Sequence, residues 1–299
     1  MLVLLPVLLL LGCQPERQPE VVVYTSQDQV YSSEILAGFE RETGIRVKAV
    51  YDSELVKTVG LANRLIAEKD HPQCDVFWSN EELRVRQLER EGVFVPSEPP
   101  VLFGHRLRQL VIHPGSLAPR EAPTSLEELT DPKWKGRVVM AYPLFGTTST
   151  HMLVLREAWG DEKWEAWIQG LFDNDVMVVD GNSVVVRMVG AGEAWIGLTD
   201  SDDIHAGQKN GLPVVAVDLE ETLLIPNAAA KVVGRAHANE ANALLAYLKS
   251  DSVLKILTGA HALEGPYPEQ VIGLKPDWDA VLDRLEEGTE VMKEAFLRD

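Results

Sequence analysis

Carboxylates and hydroxyls gather where two apolar runs end. The stretch Trp195-Ile196-Gly197-Leu198 gives way to Asp200-Ser201-Asp202-Asp203. Carboxylate oxygens are hard donors suited to Fe(III), Ca(II) or Mn(II), whereas softer metals want sulfur or imidazole. A polyamine or another small organic cation satisfies the same charge, and Asp and Ser are also ordinary helix N-caps at a strand exit. Further oxygen donors follow two earlier runs, Asp28 after Tyr24-Thr25-Ser26-Gln27 and Asn80-Glu81 after Trp78-Ser79. The opposite preference appears at Gly146-Thr147-Thr148 and Asn182-Ser183, which open helical stretches. Unpaired N–H groups and the macrodipole at such starts favour a small anion. Ser, Thr and Asn are equally ordinary N-caps at such starts.

Catalytic chemistry lacks its signatures. There is no G-x-S-x-G elbow, H-E-x-x-H helix, Walker loop or G-x-G-x-x-G, and no two histidines stand at the i,i+4 spacing of a helical metal site. Asp202 and Asp203 are adjacent, so they need not share a face for acid–base work. No catalytic residue is assigned, leaving an exported hydrolase or transferase as the weakest alternative. A formal net charge of −18 repels a phosphate backbone and argues against a nucleic-acid partner. Cys13 and Cys74 are the only cysteines, which excludes a disulfide framework.

These residues need a scaffold, and 299 residues allow two lobes with a core each. Residues 1–12 form an apolar run too short to span a bilayer and read as a signal peptide. Leu10-Leu11-Gly12-Cys13 resembles a bacterial lipobox, which makes Cys13 the expected lipidation site and 13–19 a polar tether. Beyond it, short apolar runs alternate with amphipathic stretches, the pattern of α/β architecture. Strands are expected near 21–24, 45–50 and 75–78, with helices near 31–43, 55–69 and 81–91. Strands near 137–141 and 194–198, a helix opening at 146–150 and a helix over 184–189 form a second set. Trp159, Trp164 and Trp167 read as core packing, Cys74 as a small buried hydrophobe, and Tyr24, Tyr51, Trp78 and Tyr142 each as partly buried packing, with a cleft wall as the alternative. In open sheets, ligands sit beyond the carboxyl ends of the strands.

The order of landmarks resembles bacterial periplasmic solute-binding proteins of ABC importers, in particular the ferric-iron-binding branch. Val23-Tyr24-Thr25-Ser26-Gln27, Phe39-Glu40-Arg41-Glu42-Thr43-Gly44-Ile45, Asp75-Val76-Phe77-Trp78, Asp131-Pro132-Lys133-Trp134-Lys135-Gly136-Arg137, Asn182-Ser183-Val184 and Gly190-Ala191-Gly192-Glu193 carry it. The resemblance implies a two-lobed type II periplasmic-binding fold, each lobe a mixed sheet flanked by helices with a cleft between. Residues 20–111 plus 222–272 would form lobe 1, and 112–221 plus 273–299 lobe 2. It also implies a monomeric lipoprotein at the periplasm or cell surface that delivers ligand to an inner-membrane permease. Its cargo would be Fe(III) or another hard metal ion with carbonate or phosphate; a polyamine or other organic solute is the alternative. The branch's paired tyrosine ligands align with Asp202 and Asp203, its first-loop donor with Asp28, and its glutamate with Asn80 beside Glu81. Its anion-binding helix starts align with Gly146-Thr147-Thr148 and Asn182-Ser183, near Asp200.

Overall fold

Two runs of alternating strands and helices build the molecule, whose computed structural model describes residues 18–51 and 58–297. The expected signal segment 1–12 and Cys13 lie outside the described residues. The first run is β1 (Glu20–Thr25), α1 (Gln29–Thr43), β2 (Arg46–Tyr51), α2 (Val59–Ala67), β3 (Val76–Ser79) and α3 (Leu83–Arg90). A long strand, β4 (Val101–Ile112), leads to the second run. That run is β5 (Val138–Ala141), α4 (Gly146–Trp159), α5 (Asp161–Asp173), β6 (Met177–Val179), α6 (Asn182–Gly190), β7 (Ile196–Asp200) and α7 (Ser201–Lys209). The chain then returns through β8 (Val215–Val217) and β9 (Leu224–Lys231) and closes with α8 (Ala238–Leu248), α9 (Asp251–Gly259), α10 (Trp278–Asp283) and α11 (Leu285–Phe296).

Short apolar runs become strands because both faces are covered. In β3, Val76 and Trp78 pack with Ile35, Leu36 and Phe39 of α1 and with α8 and α9. Phe77 points the other way, onto Leu61 and Leu65 of α2 and Leu88 of α3. The second half repeats this alternation, with Val138 and Met140 facing α4 and α5 and Val139 and Ala141 facing α6 and α7. Helix α1 stops at Gly44, whose φ of +71° suits glycine and whose N–H bonds the Glu40 carbonyl. The expected core residues Trp164, Trp167 and Cys74 are buried. So are Tyr24 and Trp78, at 1% and 0% exposure, which removes both from any cleft wall. The helix expected over 55–69 is described as α2, and that expected from 81 starts two residues later as α3.

Among the described residues the nine strands run in the order β2-β1-β3-β9-β4-β7-β5-β6, with β8 beside β4. Each half has the same plan. Strand β1 lies parallel between β2 and β3, and β3 meets β9 antiparallel. Strand β5 lies parallel between β6 and β7, and β7 meets β4 antiparallel. Strand β4 joins the halves by changing partner, pairing with β9 up to Leu107 and with β7 from Arg108. The carboxyl ends of β1, β3, β5, β6 and β7 therefore converge on the junction between the halves. Such an edge is where an α/β sheet offers a ligand loop ends and helix starts together.

Candidate functional site

A cleft opens at that junction. From the first half it takes Asp28, after β1, and Asn80, after β3. From the second half come Tyr142 and the start of α4 (Gly146, Thr147, Thr148), then Asp180 and Asn182 after β6. Asp200, at the end of β7, and Asp202 and Asp203, in the first turn of α7, complete the acidic wall. Asp28 and Asp203, 175 positions apart in the chain, thus share one cavity because the carboxyl ends of five strands, two from one half and three from the other, meet there.

Asp200, Asp202 and Asp203 each place a carboxylate oxygen within 4.8 Å of the others. The three do different work. Asp200 is saturated: Oδ1 accepts from Arg108 Nη1 at 2.7 Å, and Oδ2 from Thr147 Oγ1 at 2.6 Å and Asn182 Nδ2 at 3.1 Å. Burial raises its pKa, but Arg108 and Arg106 outweigh burial and hold it below the usual carboxylate range. Asp202 Oδ2 accepts from Arg106 Nη1 at 3.2 Å, and Arg106 Nη2 donates to the Asn80 carbonyl at 3.0 Å. Burial works against the Arg106 charge, yet Asp202, Asp200, Asp28 and Asp203 surround it and keep the guanidinium firmly protonated.

The two arginines are the residues that sequence reasoning missed. They stand at alternate positions of β4, so their side chains share a face, and Arg108 is the cross-strand partner of Asp200. The visible signal was Arg-x-Arg inside an apolar run, where charge without a partner is expensive. Asp28, Asp180, Asp200, Asp202 and Asp203 against Arg106 and Arg108 leave a formal charge of −3. Tyr31 on α1 was also missed; burial, then Asp202, Asp28 and Asp203, push its hydroxyl up to about 12.

Two expected contacts are not brought to the cleft. The Glu81 carboxylate turns back, accepting from the backbone N–H groups of Leu83 and Arg84 at 2.7 and 3.1 Å and from Thr150 Oγ1 at 3.1 Å. It caps the start of α3 and ties it to α4, and burial pushes its pKa up. Ser183 is exposed and does not line the cavity. The Thr147, Thr148 and Asn182 side chains line it but are engaged with one another and with Asp200 and Arg108. What these helix starts present to a ligand is their first-turn backbone N–H groups, which lack intrahelical acceptors.

Residues 20–261 match the model of the family described as bacterial extracellular solute-binding protein. The chain belongs to that family. It is 28% identical over 205 residues to iron uptake protein A1 of Synechocystis sp., a match covering 62% of this chain and 56% of that protein. It is 26% identical over 196 residues to the Fe(3+)-binding periplasmic protein of Serratia marcescens, covering 60% of this chain and 56% of the relative. The matched region thus spans just over half the length of these relatives. Iron-bound HitA from Pseudomonas aeruginosa shares the fold, with a TM-score of 0.77 at 21% identity over 93% of this chain and 99% of that one. The expected two-lobed type II architecture is therefore the fold of this solute-binding protein.

Proposed function

We propose that this solute-binding protein serves an ABC importer and that its cargo is a hard metal ion, Fe(III) foremost, held with a small anion such as carbonate or phosphate. One observation carries this reading. Asp28, Asp202 and Asp203 line the same cleft as Arg106 and the starts of α4 and α6, so cation and anion determinants share one cavity at the junction of two lobes. The cation sits among the aspartates, with Asp200 as the fixed anchor behind them. The anion sits against the Arg106 guanidinium and the first-turn N–H groups, where charge-assisted bonds and the macrodipole stabilise it. The names of the relatives support iron as cargo.

Ligand bridging favours the closed arrangement, because only there do both lobes contribute contacts. The protein then performs no chemistry; it presents a loaded, closed form to a membrane permease. The proposal keeps the lobe division 20–111 with 222–272 against 112–221 with 273–299, except that the first crossing moves to Leu107–Arg108, where β4 changes partner. It also keeps lipidation at Cys13, periplasmic or cell-surface placement and a monomer. Protein purified without chelator should carry iron by elemental analysis, and the double substitution Asp202→Asn with Asp203→Asn should remove it. A thermal shift with a polyamine or a phosphorylated organic solute, and none with Fe(III), overturns the metal as cargo while leaving the transport role.

A further inference from the structure

Phe145 borders a second pocket besides the cleft, and helices of both halves enclose it. Arg84 and Gln87 of α3 line it together with Leu144 and Phe145, which precede α4, and Leu282 and Leu285 of α10 and α11. Arg84 is its unusual member. The side chain is 9% exposed, and its Nη1 donates to the neutral Gln87 Oε1 at 2.8 Å. Glu81 is the acid whose charge acts on it, but that carboxylate accepts from the backbone N–H groups of Leu83 and Arg84 and from Thr150 Oγ1, not from the guanidinium. The other buried arginines, Arg106, Arg108 and Arg156, each meet a carboxylate. Among the described residues Arg84 has no such ion pair, and burial pushes its pKa below the ordinary arginine value. A guanidinium buried in this way is costly until an anion reaches it.

We propose that this pocket binds a small monocarboxylate with an apolar body, its carboxylate paired with Arg84 and its hydrocarbon against Leu144, Phe145, Leu282 and Leu285. Apolar walls around one well-placed charge are the usual make-up of a small-molecule site, and the planar guanidinium fork matches a carboxylate. The remaining charges on the pocket select against larger anions. Arg90 Nη1 is held by Asp283 at 2.6 Å and Lys293 by Glu290 at 2.6 Å, so neither cation is free for a ligand. Glu91 and Glu286 line the same pocket and are exposed. They repel phosphate or a polycarboxylate more strongly than a single carboxylate.

Calorimetric titration of phenylacetate into the full chain tests this, with the neutral phenylacetamide and inorganic phosphate as comparison probes. Phenylacetate should bind, and phenylacetamide and phosphate should each bind at least roughly tenfold more weakly. Arg84→Gln should weaken phenylacetate by roughly tenfold or more, because it removes one partner of a buried charge pair. That variant should melt no earlier than the unsubstituted chain, since it deletes an unpaired buried charge. Asn63→Trp is the second variant: Asn63 is exposed on α2, lines this pocket and does not line the cleft, so an indole there fills the pocket without touching Arg84's own helix. It should weaken phenylacetate to a similar extent. No phenylacetate binding, equal affinity for phenylacetamide, tighter binding of phosphate, or unchanged affinity in both variants, which would put the carboxylate in the cleft, each overturns the proposal.

Discussion

Neighbouring carboxylates differ in role because their partners differ. Asp200 is enclosed by Arg108, Arg106, Thr147 and Asn182 at 2% exposure, so Asp200→Asn takes from the buried Arg108 guanidinium its carboxylate partner, while Arg106 keeps Asp202. Removing one member of a buried ion network costs ~3–5 kcal/mol, and urea denaturation should show a loss of that size. Asp203 lies in the more open first turn of α7. Asp203→Asn should change stability by less than about 1 kcal/mol while weakening Fe(III) binding roughly tenfold or more in competition with a chelator. Equal stability losses in the two variants would show that Asp203 is also structural. The acidic side of the site was legible because Asp28, Asn80 and Asp202 stand where apolar runs turn polar. Arg106 and Arg108 were not, since their partners are distant in sequence. Glu81 was misplaced because a turn's sequence does not say whether its side chain faces the cavity or caps its own helix.

At the level of elements, the starts of α4 and α6 aim backbone dipoles into the cleft, and Gly146 sets the first of them at φ +56°. A β-carbon on Gly146 would meet nothing within 4 Å, so Gly146→Ala costs only conformational strain, ~1–2 kcal/mol. Gly136, at φ +65° and equally open, precedes β5 away from the cleft and is the matched control. Both alanine variants should melt earlier by similar amounts, and Gly146→Ala alone should weaken phosphate-assisted iron binding; equal affinities would argue against an anion at α4. Both βαβ runs were legible from their apolar periodicity. Strand β4 was not, because His105, Arg106 and Arg108 interrupt its pattern and Gly104 sits at an irregularity between Phe103 and His105. Helix α7 was legible only at its start, where Asp-Ser-Asp-Asp reads as an N-cap, because the internal Gly207 breaks the pattern beyond it.

The whole molecule answers to proton and salt concentration. His151, fully buried in α4, donates its Nε2–H to the Glu221 carbonyl at 2.8 Å; burial and then Arg108 push its pKa down to about 3. A folded pKa depressed below the unfolded value of ~6.5 contributes stability above that value and loses it as pH falls toward about 3. Between about pH 6.5 and 5 the stability lost on this account is ~1.5 kcal/mol. His151→Gln should flatten the decline by that amount, since the raised Glu81 and the lowered Asp200 are common to both proteins; identical slopes would refute a neutral buried imidazole. Arrival of ligand is governed by charge. A formal net charge of −18, with a cleft still negative after its arginines, concentrates cations near the mouth. The Debye length shrinks from about 30 Å at 0.01 M salt to about 8 Å at 0.15 M. Stopped-flow association of a hydrated hard trivalent ion, Tb(III), should therefore slow markedly over that range, with the dissociation rate changing much less because the bound ion is shielded from bulk salt. An association rate that rises with salt would mean that the incoming species is an anion, such as a ferric chelate, met first by Arg106 and the helix starts rather than by the aspartates.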